Sequence, residues 1–97
     1  MLKDYSLEVH GRHKFDATGA ISTPIHLSAT YRHPGFKMST GYDYGRVANP
    51  TRDELENIMC ALERGERAWA VSSGMAAINL VLQLFKTGDH ILLSEDL

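Results

Sequence analysis

The chain has 97 residues, of which 43% are hydrophobic and 23% are charged, a composition typical of one small soluble globular domain. Its ten basic and twelve acidic residues leave a net charge of −2, which predicts no nucleic-acid partner. No apolar run approaches the roughly 20 residues that cross a bilayer, and residues 1–5 lack the features of a signal peptide. With Cys60 as the single cysteine, we expect a cytoplasmic protein without an internal disulfide or a membrane partner.

Residues 1–50 show no sustained helical period. Glycine and proline interrupt every apolar run within a few residues, at Gly11, Gly19, Pro24, Pro34, Gly35, Gly41 and Gly45. Fifty residues without regular elements are unusual inside a compact domain. They predict an N-terminal arm, residues 1–50, that contacts a neighbouring subunit. His10 and His13 lie in this arm without an evident third ligand, so the sequence predicts no metal site.

A first helix is predicted over residues 51–64. Thr51 and Glu54 have the spacing of a capping box, with Thr51 as the N-cap. One helical face is then apolar at Leu55, Ile58, Met59 and Leu62. Gly65 follows, and it predicts a helix end with that glycine in the left-handed conformation.

A βαβ unit is predicted after this helix. Residues 68–71 and 90–94 are short apolar runs typical of buried parallel strands, and a helix is predicted between them from Met75 to Lys86, with Gly88 just beyond it. Buried parallel strands need further strands and helices to cover them. We therefore expect an α/β fold in which residues 51–97 are the incomplete start of a larger enzyme domain.

The turn Ser72-Ser73-Gly74-Met75 joins the first predicted strand to the second helix. A helix N-terminus has unpaired N–H groups and favours an anion, and Gly74 lets a ligand approach the backbone closely. Small residues suit any tight turn equally well, so this pattern alone leaves both interpretations open. No G-x-G-x-x-G and no P-loop pattern is present, which argues against a dinucleotide or a nucleoside triphosphate.

Tyr44 and Arg46 form a second candidate site upstream. If this segment is extended, side chains two residues apart lie on the same side, and a phenol and a guanidinium there can bind a phosphate. The alternative is a solvated turn with an incidental arginine.

Two motifs in order carry a family resemblance. Tyr-x-Tyr-x-Arg-x-x-Asn-Pro-Thr at residues 42–51, followed by Ser-Gly-Met-Ala-Ala-Ile at residues 73–78, resembles the Cys/Met-metabolism family of enzymes dependent on pyridoxal 5'-phosphate (PLP). The resemblance extends from about residue 7 onward. It implies the large α/β domain of a fold type I, aspartate-aminotransferase-like transferase, the cofactor PLP, a small amino-acid substrate and a homo-oligomer.

The resemblance also implies roles for individual residues. Ser73, Gly74 and Met75 would hold the PLP phosphate, the last two through their backbone N–H groups. Tyr44 and Arg46 would contact the phosphate of a neighbouring subunit's cofactor, giving a dimer with shared active sites, assembled as a tetramer. The residues alone leave open a return of Arg46 to the turn of its own chain.

No catalytic residue is assigned within this chain. None of its lysines (Lys3, Lys14, Lys37 and Lys86) has the setting of the family's Schiff-base lysine, so we expect the 97 residues alone to be inactive. General similarity favours a cystathionine γ-synthase or cystathionine β-lyase reaction. Methionine γ-lyase, a homoserine-ester sulfhydrylase, or a non-catalytic dimerisation or phosphate-binding module are the alternatives.

Overall fold

Two helices are the regular elements of residues 18–96, the part of the chain that the computed structural model describes. Helix α1 spans Pro50–Leu62 and helix α2 spans Gly74–Leu82. Both predicted helices are therefore confirmed, with different ends. Within residues 18–96, neither helix has the length and apolar character that a membrane crossing requires.

Helix α1 begins one residue earlier than predicted, and its N-cap is Asn49. The Asn49 side chain accepts a hydrogen bond from the Thr51 N–H (2.8 Å), while Pro50 occupies the first turn, where its missing N–H costs nothing. The predicted cap at Thr51 is wrong because the proline already has the helical φ angle. Thr51 Oγ1 instead accepts a hydrogen bond from the backbone N–H of His26 (2.8 Å).

The C-terminus of α1 places a residue other than glycine in the left-handed conformation. Arg64 has φ 53°, its N–H donates to the Ala61 carbonyl (3.3 Å), and the Gly65 N–H donates to the Cys60 carbonyl (2.9 Å). These two bonds form a Schellman motif that satisfies the last carbonyls of the helix. The prediction that Gly65 is the left-handed residue is wrong, because the helix ends at Leu62 and its C-cap is Glu63.

Helix α2 has Ser73 as its N-cap and ends at Leu82, four residues before the predicted end at Lys86. The chain then turns: the Lys86 N–H donates to Asp89 Oδ2 (2.7 Å), and the Asp89 N–H donates to the Lys86 carbonyl (3.0 Å). A side chain that bonds nearby backbone in this way competes with a continuing helix. Gly88, with φ +100°, completes the turn.

The two predicted strands, residues 68–71 and 90–94, do not form a sheet among the described residues. The bridges found there are isolated antiparallel pairs, Thr30 with Tyr44 and Gly35 with Met38. A strand needs a hydrogen-bonded neighbour, and residues 18–96 supply none for either segment. The Ala70 N–H instead donates to the side chain of Glu56 on α1 (2.9 Å).

Residues 18–96 enclose no hydrophobic core. None of their side chains is buried, and Leu27 and Leu92 are 92% and 89% exposed. The radius of gyration is 17.6 Å, against about 13 Å for a compact domain of 100 residues. Apolar surface of this extent is typical of a chain that packs against further protein surface.

Candidate phosphate-binding site

Tyr44 and Arg46 lie on a tight turn. The N–H groups of Val47 and Ala48 both donate to the Tyr44 carbonyl (2.9 and 3.0 Å), so of the two alternatives left open by the sequence the segment is a turn and is not extended. The two side chains are adjacent nonetheless, because the Arg46 guanidinium carbon lies 5.3 Å from the centre of the Tyr44 ring, within the range of a cation–π contact. Both residues are exposed, so the pair is open to an anion from outside.

A close approach between two backbone segments supports this turn. The Gly45 N–H donates to the Ala29 carbonyl (2.7 Å), and the Tyr31 N–H donates to the Asp43 carbonyl (3.3 Å). A Cβ added at Gly45 would lie 2.9 Å from the Ser28 carbonyl oxygen, closer than real Cβ contacts allow. Glycine is therefore required at this position by packing within the chain itself.

Tyr42 ties the loop to helix α1. Its hydroxyl donates to Asp53 Oδ2 (2.8 Å), and its ring centre lies 5.6 Å from that of Tyr31. The hydrogen bond to Asp53, followed by partial burial and the charge of the same carboxylate, raises the pKa of Tyr42 above its ordinary value. Tyr42 is thus a hydrogen-bond donor that holds the loop against helix α1.

The loop before the turn is organised around Asp43. Its Oδ1 accepts a hydrogen bond from Ser39 Oγ (2.5 Å) and lies 2.7 Å from His33 Nε2. The Ser39 bond is the larger of two causes that lower the pKa of Asp43, and the contact with His33 is the other. The carboxylate, therefore, stays ionised and holds two loop positions together.

Arg52 makes a contact with this turn that the sequence did not predict. From the first turn of α1, its Nη1 donates to the Arg46 carbonyl (3.2 Å) and its Nη2 to the Val47 carbonyl (2.6 Å). Nothing in the sequence marks this contact, since an arginine on an amphipathic helix is normally a solvated surface residue. The backbone turn at residues 44–47 alone brings these carbonyls within its reach.

The second candidate group is the N-terminus of α2. Ser73 Oγ accepts a hydrogen bond from the Ala76 N–H (3.1 Å), so its lone pair caps the helix while its own O–H remains available to donate. Gly74 and Met75 supply the first two N–H groups of the helix, which have no partner inside it. The N-terminus of α2 therefore offers three hydrogen-bond donors to a ligand.

Packing against the described residues does not require a glycine at position 74. A Cβ built there would meet no heavy atom within 4 Å, and its φ angle is not in the left-handed range. The space in front of the two free N–H groups is therefore open on the side that a Cβ would occupy. Open space, free donors and the positive end of a helix fit a phosphate group.

The two groups are not joined by bonds among the described residues. Within residues 18–96, no hydrogen bond, ion pair or ring contact joins Tyr44 or Arg46 to Ser73, Gly74 or Met75. Helix α1, 13 residues and about 20 Å long, lies between them in the chain. Residues 18–96 contain no group of three side chains able to hold a metal ion, and His10 and His13 lie outside this range.

Comparison with known proteins gives a consistent set of relatives. Cystathionine γ-lyase of Bacillus subtilis is 48% identical over 96 residues, covering 98% of this chain and 25% of its own length. An enzyme of the same organism named cystathionine γ-synthase/O-acetylhomoserine (thiol)-lyase is 49% identical over 87 residues, covering 90% of this chain and 23% of its own length. The chain thus spans about a quarter of the length of the curated relatives it matches.

A solved structure agrees with these sequences. The chain aligns with cystathionine γ-lyase of Lactobacillus plantarum, solved with L-serine, at a TM-score of 0.76 and 41% identity, over 92% of this chain and 23% of that one. Such structural neighbours are PLP-dependent enzymes of fold type I, which confirms the predicted fold class at that level. Residues 5–97 match the family described as Cys/Met metabolism PLP-dependent enzymes, and the chain belongs to that family.

Proposed function

We propose that this chain is the N-terminal part of a PLP-dependent trans-sulfuration enzyme of cystathionine γ-synthase or cystathionine β-lyase type. Ser73, Gly74 and Met75 hold the phosphate of PLP, and Tyr44 and Arg46 contact the phosphate of a neighbouring subunit's cofactor. The 97 residues by themselves are inactive. Residues 1–50 are the arm that contacts the neighbour, and residues 51–97 begin the PLP-binding domain, whose strands at 68–71 and 90–94 pair within the larger sheet.

The observation that carries the proposal is the empty space at Gly74. Glycine is costly in a helix relative to alanine, by about 1 kcal/mol in the interior. Gly45 has a packing reason for its missing side chain, whereas Gly74 has none among residues 18–96. A ligand that comes close to the backbone explains the glycine at this position, and the two free N–H groups there are donors for an anion.

This chain's residues would bind and orient the cofactor. When bound, PLP supplies the electron sink that stabilises negative charge developing on an amino-acid substrate. The N–H groups of Gly74 and Met75 and the hydroxyl of Ser73 would fix its phosphate end, and so the direction of its ring. Arg46 would neutralise part of the phosphate charge, with the Tyr44 ring limiting the movement of its guanidinium.

Sharing of the site between subunits is supported by the lack of bonds between the two groups among residues 18–96 and by the exposed arm. Tyr44 and Arg46 are exposed, and no hydrogen bond, ion pair or ring contact among the described residues joins them to the α2 N-terminus of their own chain. Apolar side chains of the arm, such as Leu27 and Phe36, are more than nine-tenths exposed, as expected of a surface that a second subunit covers. The assembled enzyme would be a dimer with shared sites, present as a tetramer in the cytoplasm.

A second candidate reaction is γ-elimination from cystathionine. The Bacillus subtilis relative named cystathionine γ-lyase covers 98% of this chain at 48% identity, within one percentage point of the γ-synthase relative. Identity over these residues therefore does not separate the reactions.

The test is purification of the protein containing these residues as one full-length chain, followed by three assays. Bound PLP is measured by its visible absorbance. Cystathionine is then supplied alone, where β-elimination releases homocysteine and γ-elimination releases cysteine. O-Acetylhomoserine with cysteine is supplied separately, where γ-replacement yields cystathionine. We expect bound PLP and one of these products, and a colourless protein without any of them would refute the proposal.

The shared site is tested by mixing subunits. Arg46→Ala and Gly74→Ala each damage a different half of the phosphate contact. If the halves belong to different subunits, co-expression of the two variants restores about a quarter of the high-affinity PLP sites, since half the dimers are mixed and each has one intact site. If both halves come from one chain, no site is restored.

A further inference from the structure

The side chain of Arg52 bridges two consecutive carbonyls of the turn that carries Tyr44 and Arg46. Nη1 and Nη2 donate to the carbonyls of Arg46 and Val47, at 3.2 and 2.6 Å. The side chain is 31% exposed, and both hydrogen bonds lie at the surface of the chain. A planar guanidinium can span two carbonyls at once, which the single ammonium of lysine cannot do in the same geometry.

We propose that Arg52 is a positioning residue for the phosphate contact, because it fixes the backbone turn from which the Arg46 side chain extends. The inference rests on the proposed function, in which Arg46 contacts the cofactor phosphate. Arg52 itself is not assigned a contact with PLP.

The alternative role of Arg52, an ion pair that only stabilises α1, is too weak to explain its geometry. Its Nε lies 3.7 Å from Glu56 Oε1, one helical turn further on, and pairs of this kind on a helix surface contribute about 0.3–0.5 kcal/mol. Glu56 Oε1 also accepts the N–H of Ala70 at the shorter distance of 2.9 Å. The shortest contact that Arg52 makes is therefore the one to Val47, within the turn.

This arrangement leaves the Arg46 side chain free for an anion. The backbone carbonyl of Arg46 is occupied by Arg52, whereas its guanidinium is over the Tyr44 ring and makes no hydrogen bond to another described residue. A rigid backbone beneath a free guanidinium reduces the conformational entropy lost when the phosphate binds. Arg52 thus acts on affinity through the position of Arg46.

The experiment is a double-mutant cycle in the full-length enzyme, measured as the dissociation constant of PLP from the apoenzyme. The variants are Arg46→Ala, Arg52→Gln and both together. We expect Arg52→Gln to weaken PLP binding about tenfold, from the coupling typical of residues in contact. In the Arg46→Ala background the same change should have little further effect. Pyridoxal, which lacks the phosphate, should bind all four proteins equally.

Several results would overturn the inference. One is that Arg52→Gln weakens PLP binding equally with Arg46 present and with Arg46 replaced by alanine. Another is that Arg52→Gln weakens the binding of pyridoxal as much as that of PLP. The third is that Arg52→Gln leaves PLP binding unchanged although Arg46→Ala weakens it. If Arg46→Ala alone leaves PLP binding unchanged, the proposed role of Arg46 is refuted. This single variant tests that role independently of Arg52. Should Arg52→Gln not fold, Arg52→Lys keeps the charge but not the bridge, and the same comparison applies to it.

Arg32 provides the matched control. It is an exposed arginine of the arm that carries Arg46, and it makes no hydrogen bond or ion pair with another residue of the described part. Arg32→Gln removes the same charge without touching the turn, so it should leave PLP affinity as in the parent enzyme. A loss for Arg32→Gln as large as that for Arg52→Gln would mean that overall charge, and not the bridge, governs binding.

Discussion

Replacement of Gly74 by alanine separates packing from ligand binding at the N-terminus of α2. Because a Cβ at this position meets no atom of residues 18–96 within 4 Å and the backbone is not left-handed, the alanine fits the described part of the chain without strain. At a compatible position this change stabilises a protein by about 0.4–1 kcal/mol, chiefly by restricting the unfolded chain. We therefore expect the apoenzyme to be as stable as the parent, or slightly more stable.

The same methyl group should oppose the cofactor. It would occupy the open space in front of the N–H groups of Gly74 and Met75, and the loss of one charge-assisted hydrogen bond costs about 1.5–3 kcal/mol. Since 1.4 kcal/mol corresponds to a factor of ten, PLP should bind about ten- to a hundredfold more weakly. The assay is a PLP titration of the full-length apoenzyme, alongside thermal unfolding of the same preparation.

Gly65→Ala is the control for this prediction. Gly65 also lacks a left-handed φ, and its nearest neighbour to an added Cβ lies at an ordinary 3.7 Å, but it is outside the proposed site. It should change neither PLP affinity nor the fold. Unchanged PLP binding by Gly74→Ala, or a large loss of apoenzyme stability, would refute the reasoning, since either shows that something other than the phosphate requires the glycine.

Three further changes test the contacts that hold the site. Asn49→Ala removes the N-cap of α1 and should lower the free energy of unfolding by about 1 kcal/mol in urea denaturation, whereas Thr51→Ala, which keeps the cap, should cost less. Tyr42→Phe removes the bond to Asp53 and should lower the free energy of unfolding by about 0.5–1.5 kcal/mol in the same assay. The difference from the parent should disappear once the pH rises above the raised pKa of Tyr42, because the ionised phenol no longer donates; a difference that persists there would contradict this. Because the pKa of Asp43 lies below its ordinary value of 3.8, its contacts stabilise the loop above that pH and are lost as pH falls through the lowered pKa. Asp43→Asn should therefore destabilise the protein at neutral pH, and the difference from the parent should disappear in acid.

Local patterns predicted the helices better than their ends. The apolar spacing at Leu55, Ile58, Met59 and Leu62 identified α1, because amphipathic periodicity depends only on neighbouring residues. Its cap was misassigned because Asn49 and Thr51 are both good capping residues, and the choice depends on Pro50 and on the contact from His26. The end of α2 was missed because Asp89 bonds the backbone of Lys86.

The strands could not be predicted in the same way. An apolar run such as residues 68–71 indicates a tendency to be buried, but a strand exists only where another strand donates and accepts hydrogen bonds beside it. Residues 18–96 supply no such neighbour, and Ala70 bonds to Glu56 instead. The missing information is therefore non-local, and no pattern within the run contains it.

The amino-acid sequence by itself determined the family and the two helices, because its motifs and the 3.6-residue period are properties of short segments. Tertiary structure alone decided that Tyr44 and Arg46 meet on a turn rather than along a strand, and that Arg52 holds that turn through two carbonyls. It also distinguished Gly45, where backbone crowding excludes a side chain, from Gly74, where no residue of the described range 18–96 does. The physical reason is the same in each case: a contact between distant segments depends on the three-dimensional path of the backbone, and residue spacing along the chain does not specify that path.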